Sequence, residues 1–192
     1  MMISQCQPQG EDRRNELADA NSRGYAHSAM WTEAFERIVQ ALPAACVTVY
    51  GERLHSVAIY GSVARGTMRP DSDVDVLIVA DALADSRAAR MDEFERIDRL
   101  LADPIATARS VGVHTVLIPT LKTPDELRAG SPLYLDMTDQ ARILYDRGGL
   151  LRGYLDDLAR RLQILGARRV PFGGGYYWEL KPDFRWGDRI EL

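Results

Sequence analysis

The run VDVLIVA, residues 74–80, carries a single charge, the aspartate at its second position. A strand this apolar is buried on both faces, so it demands a sheet covered by helices on each side. Its neighbours suit that frame. LHSVAIYG (54–61) reads as a preceding strand and GVHTVLIPT (112–120) as a following one, with VTVYG (47–51) either a short strand or part of a loop. From Ser28, SAMWTEAFERIVQALP sets Met30, Trp31, Phe35, Ile38, Val39 and Leu42 at helical spacing, and Pro43 marks the expected stop. A second amphipathic helix starts near Ser86, with Met91, Phe94, Ile97, Leu100 and Leu101 on one stripe.

Further on, TPDELRAG predicts a short helix with Thr123 as N-cap, Pro124 at its first position and Gly130 beyond its end. SPLYLDMTDQA reads as another helix, RILYD as a short strand, and 150–165 as a longer helix stopped at Gly166. The tail RRVPFGGGYYWELKPDFRWGDRIEL has no such period and reads as turns and short strands. These elements predict an α/β (α+β) fold with a helical and irregular C-terminal extension. We expect a flexible N-terminal segment over 1–24, a domain over 25–147, and a C-terminal helix and aromatic tail (148–192) packed upon it.

With 192 residues, 46% hydrophobic and 27% charged, the chain has the make-up of an ordinary globular protein. No apolar run approaches the roughly 20 residues of a membrane span. The polar start, with no signal-peptide core, predicts a cytoplasmic protein. Cys6 and Cys46 stand far apart in no metal-like spacing and read as a tail thiol and a small core residue. A net charge of −4 argues against long nucleic acid as the main partner, though not against a nucleotide.

The chemistry concentrates in GSVARGTMRPDSDVDVLIVA, residues 61–80, where ten residues separate Ser62 from Asp73. A P-loop would need lysine after the second glycine, and Thr67 stands there, with Pro70 where the phosphate-binding helix should continue. A calcium loop beginning at Asp71 would need glycine at Val76 and an acid at Ala82. Both fail.

Strand geometry gives a third reading. Asp73 and Asp75 share a face about 6.6 Å apart along the chain. Two carboxylates there repel by about 2.5 kcal/mol at an effective dielectric of 20. A divalent cation neutralises them, and hard oxygens select Mg²⁺ or Mn²⁺, whose other positions suit water and the phosphates of a nucleoside triphosphate. Gly61 lets backbone approach a phosphate, and the Ser62 hydroxyl and following N–H groups can face phosphate oxygens. Ser62–Gly66 reads as a short helical turn whose N-terminal end favours an anion. The plainer alternative is an ordinary turn followed by surface aspartates before a core strand.

Gly-Ser, ten residues and DVD resemble the signature of the DNA polymerase β nucleotidyltransferase superfamily, in particular its minimal nucleotidyltransferases, over about residues 28–120. The resemblance implies a mixed sheet flanked by helices. It also implies transfer of a nucleoside monophosphate from an NTP, ATP foremost, to a hydroxyl with release of pyrophosphate. Gly61 and Ser62 would hold the triphosphate and Asp73 and Asp75 would ligate Mg²⁺. Such families place a third carboxylate on a later strand, but GVHTVLIPT has no acid. His114 stands near that place, either as a base or outer ligand or as a buried, hydrogen-bonded histidine. Glu126, Asp136 and Asp139 are acids that could reach the site, or simply line helix surfaces.

Arg65 and Arg69 are the candidate phosphate ligands in the loop, with an ion pair to Asp71 or Asp73 as the alternative for Arg65. Arg152, Arg160, Arg161, Arg168 and Arg169, interspersed with Asp156 and Asp157, read as a solvated face. Tyr176, Tyr177 and Trp178 would stack on a base or acceptor, or plug the tail onto the domain. Candidate acceptors are a protein hydroxyl of a HEPN-type partner, as in antitoxin members, or a small molecule such as an aminoglycoside. The rival is a non-catalytic nucleotide- or toxin-binding module, supported by the missing third acid.

Overall fold

A computed structural model describes the backbone of residues 10–186 and the side chains of residues 28–186. Its first helix, α1, spans Gly10–Tyr50, and Pro43 lies inside it. The expected stop is overridden because the apolar stripe does not end there. Phe35, Ile38, Val39 and Leu42 continue into Ala45, Cys46, Val49 and Tyr50, all buried. Packing of that last stretch outweighs the one hydrogen bond a proline removes. Residues 47–50 are therefore helical rather than strand or loop. The helix also begins well before Ser28, taking in 10–24 of the segment expected to be flexible, while residues 1–9 lie outside the described residues.

Strand β1 (Leu54–Tyr60) runs antiparallel to β2 (Val74–Ala80), and β2 runs parallel to β3 (Leu117–Lys122). A fourth strand, β4 (Arg142–Asp146), pairs antiparallel with β1. The sheet order is β3–β2–β1–β4, a mixed sheet. Between β1 and β2 lies the single-turn helix α2 (Gly61–Ala64). Helix α3 (Arg87–Leu100) opens on Ser86, whose Oγ accepts the Ala89 N–H at 3.2 Å. Leu100, expected on its apolar stripe, is 51% exposed, and the buried positions are Phe94 and Ile97. Helix α4 (Ala102–Ser110) follows.

The two faces of β2 divide the core. Val74, Val76, Ile78 and Ala80 pack with α1, Phe94 and Ile97. Leu77 and Val79 pack on the other face with α5 (Pro124–Arg128), α6 (Leu133–Gln140) and α7 (Leu150–Leu165). Helix α7 ends at left-handed Gly166, as its sequence predicts. Asp146, ending β4, caps its start: Oδ1 accepts the Leu151 N–H and Oδ2 the Arg152 N–H, both at 3.0 Å. Beyond lies the hairpin β5 (Arg168–Phe172) and β6 (Gly175–Glu179), turned by Gly173 and Gly174, both at positive φ. No helix among the described residues is long and apolar enough to cross a membrane.

The outer edge at β3 is closed by side chains. Pro119 brings no N–H, and the Leu121 carbonyl accepts from Arg90 Nη1 at 3.1 Å. The same guanidinium meets Glu126 in two bonds of 2.8 and 2.9 Å, tying α3 to α5. Glu126 also completes the expected cap, its Oε2 accepting the Thr123 N–H while its own N–H donates to Thr123 Oγ1.

The Arg90 bonds hold the Glu126 carboxyl down at about 2. Because the folded value lies below the unfolded one, this contribution is whole above the ordinary 4.5 and is lost as pH falls toward 2. Arg90→Ala is expected to cost about 2 kcal/mol in urea unfolding at pH 7. Glu126→Gln should flatten the acid limb of the stability–pH curve, read by thermal melts.

Candidate active site

The site begins where β1 gives way to α2. Gly61 sits at φ +73°, and a Cβ on it would lie 2.2 Å from Asp75 Oδ2. Glycine alone meets both demands. In register, Asp75 stands opposite Tyr60 on one side and Ile118 on the other. The row Tyr60–Asp75–Ile118 thus crosses three strands on the α6–α7 face. One row inward stand Ala58, Leu77 and Thr120. Tyr60 Oη and Thr120 Oγ1 are 3.0 Å apart.

Asp73 is exposed, Val74 buried and Asp75 half-buried, so alternation carries both carboxylates onto this face. Burial pushes the Asp75 carboxyl above its ordinary range, the charge of Asp73 pushes further, and Arg65 opposes both. Among the described residues no hydrogen-bond donor reaches either carboxylate. A half-buried acid with a like charge beside it and no donor has the electrostatics that suit a cation. Nor does any group of three or more His, Cys, Asp or Glu stand together among the described residues. A pair of hard oxygens beside a close backbone approach fits Mg²⁺, which takes one or two protein carboxylates and completes its shell with phosphate and water.

Ser62, half-buried, follows Gly61 at the start of α2, its carbonyl accepting the Thr67 N–H at 3.0 Å. The N–H groups of this first turn have no acceptor within the helix. Arg65 ends α2, exposed, its Nη1 donating to Gln140 Oε1 at 3.1 Å. It stands with Asp75, whereas Arg69 lies in an exposed turn where its N–H donates to Ser72 Oγ at 2.8 Å. Asp73 and Arg65 are the charges that act on Asp75; Arg69 is not among them.

His114 is not the buried histidine foreseen as one alternative, nor does it stand on a strand. The third strand starts at Leu117, not 112, and His114 lies exposed in the loop before it, its N–H donating to the Pro70 carbonyl at 2.7 Å. Pairing with β2 begins only at Val74, opposite Leu117, which leaves the preceding residues as loop. The site face of this segment carries Val116, 57% exposed, and Ile118, 42% exposed, where a third acid would stand. Glu126 is held by Arg90. Asp136 and Asp139 are occupied by the tail.

That tail is fastened rather than free. Asp136 Oδ1 accepts Tyr176 Oη at 2.7 Å and Trp178 Nε1 at 2.8 Å. Arg169 meets Asp139 at 2.6 and 2.9 Å, its guanidinium carbon 4.8 Å from the Trp178 ring centre and 5.2 Å from that of Tyr176. Arg169 is thus a clasp and not part of a solvated face. Of the residues missed in sequence, Tyr60 had a signal: bringing Gly61 against Asp75 places it opposite that acid. Thr120, Ile118 and Gln140 had none.

Residues 48–127 match the family model of the nucleotidyltransferase domain. A Methanocaldococcus jannaschii protein named as a candidate protein adenylyltransferase is 27% identical over 111 residues, 58% of this chain and 71% of its own. A crystal structure of a toxin–antitoxin with AMP-PNP is 18% identical, covering 64% of this chain and 87% of its own, at a TM-score of 0.39. The toxin–antitoxin MntA–HepT is 14% identical, covering 67% and 90%, at 0.37.

Two substitutions test the geometry. Gly61→Ala should cost roughly 1–2 kcal/mol for the left-handed backbone alone and displace Asp75. Asp75→Asn should raise Tm at neutral pH without metal. An acid whose folded pKa is raised weakens the fold as pH climbs past its ordinary 3.8, and the amide removes that loss.

Proposed function

We propose, from the match of residues 48–127 to the nucleotidyltransferase domain, that this chain transfers AMP from ATP to a protein hydroxyl, releasing pyrophosphate. The observation that carries the reading is the donorless carboxylate of Asp75, coupled to Asp73 and set against the backbone of Gly61. The M. jannaschii relative, by its name, supports both the adenylyl group and a protein acceptor. A HEPN-type helical partner is the acceptor we favour over a small molecule. The catalytic unit we assign is 25–147, with 148–186 packed upon it and the last residues of the expected 148–192 segment outside the described residues.

In this reading the Gly61–Ser62 backbone and the Ser62 hydroxyl bind the triphosphate, close to the strand because Gly61 has no side chain. Asp73 and Asp75 would hold Mg²⁺, which neutralises phosphate charge and favours departure of pyrophosphate. Arg65 leaves Gln140 to meet phosphate oxygens, the planar guanidinium suiting two of them at once. The acceptor oxygen attacks the α-phosphorus in line as the bond to pyrophosphate breaks. Its proton passes to no acid on β3, since Ile118 faces Asp75 there. A base must come from elsewhere, and exposed His114, in the loop before β3, is the candidate we carry.

That apolar neighbour favours the second reading, a module that holds a nucleotide or a toxin without turnover. Incubation with ATP, Mg²⁺ and a candidate helical partner separates the two. Pyrophosphate release that falls by roughly 10³-fold in Asp73→Asn with Asp75→Asn supports the transferase. ATP binding by calorimetry, without pyrophosphate at any acceptor concentration, supports the module instead.

A further inference from the structure

The hairpin and the signature loop meet through α6. Arg65 donates to Gln140 at 3.1 Å, and Gln140 lies one helical turn beyond Asp136, on the same face of the helix. Asp136 in turn receives the phenol of Tyr176 at 2.7 Å. Three short steps therefore join the residue beside Asp75 to a tyrosine hydroxyl already bonded to a carboxylate. We propose that Tyr176 is a nucleotidyl acceptor within the chain itself, with Asp136 as its base. This rests on the transferase reading above and names one acceptor for that same site.

Other phenols are less suited. Tyr134 is fully buried, Tyr50 nearly so, and Tyr60 is engaged with Thr120. Tyr177 lies on the opposite face of the hairpin, paired with Val170 and edge-on to Phe172. Tyr176 is 43% exposed, and its oxygen, donating its one proton to Asp136, keeps a lone pair for attack. The charge of Arg65 acts on both this phenol and Asp75, which fits their nearness.

The step balances without further reagents. Tyr176 Oη forms a bond to the α-phosphorus of ATP, the bond from that phosphorus to the pyrophosphate oxygen breaks, and the phenolic proton moves to Asp136 Oδ1. The product tyrosine no longer has a proton for Asp136. The hairpin would then be held by Trp178 and by the Arg169–Asp139 pair.

The test is intact-mass and peptide-mapping spectrometry of the full chain after incubation with ATP and Mg²⁺. One adenylyl group on the peptide bearing Tyr176 is expected, absent in Tyr176→Phe and in Asp75→Asn, and retained in Tyr177→Phe. Since Phe keeps the ring over Arg169, Tyr176→Phe should melt within a few degrees of the parent chain. An adduct on another residue, or none, overturns the proposal. Calorimetric ATP binding in the same samples, compared with Asp75→Asn, separates that failure from failure of the transferase reading.

Discussion

Asp75 presses its carboxylate against the α-carbon of Gly61 in a place where, among the described residues, no group donates to it. Burial and the charge of Asp73 both work against its ionised form, and a sheet end otherwise built from valine, isoleucine and leucine gives little relief. A fold optimised only for stability would place an asparagine or a valine here. In the proposed reading the loop, the glycine and the position of α2 act together, and the missing positive charge arrives with Mg²⁺. The rest of the sheet serves to hold this row steady.

The C-terminal segment extends that row outward. α7 packs on the same face as Leu77 and Val79, and the hairpin is pinned to α6 by the Asp136 and Asp139 carboxylates. Gln140, at the end of α6, is the point where this appendage touches the loop. Arg65 consequently has two neighbours of opposite kind: an amide that parks it and a carboxylate that draws it inward. Binding of a polyanion beside Ser62 would change that competition and be felt along α6.

Much of this was legible in the sequence where local signals were strong. β2, α5 with its Thr123 N-cap, and α7 ending on Gly166 follow from apolar runs, capping residues and glycine conformation. Strand alternation put Asp73 and Asp75 on one face, whereas the approach of Gly61 to Asp75 depends on the pairing of β1 with β2. Where tertiary packing decided, the reading failed. Pro43 looked like a stop because a proline's lost bond is visible locally, whereas the burial of Cys46 and Tyr50 against the sheet is not. α4 went unread because ADPIATARS, with Pro104 in its first turn and small residues after it, shows no stripe. The placement of His114 depended on the register of β3, which no local pattern fixes. The Arg169 clasp joins residues thirty apart, and no spacing rule reports it.

The rim at Pro119 and Arg90 has a bearing on how molecules of this kind can assemble. A peptide seeking to continue the sheet beyond β3 would find a missing amide and a carbonyl already taken by a guanidinium. Strand addition is thereby closed on the flank nearest the carboxylates. Any companion that approaches from that direction must recognise side chains rather than lay its own backbone alongside, and the chain is spared edge-to-edge aggregation at the place where its chemistry is most exposed.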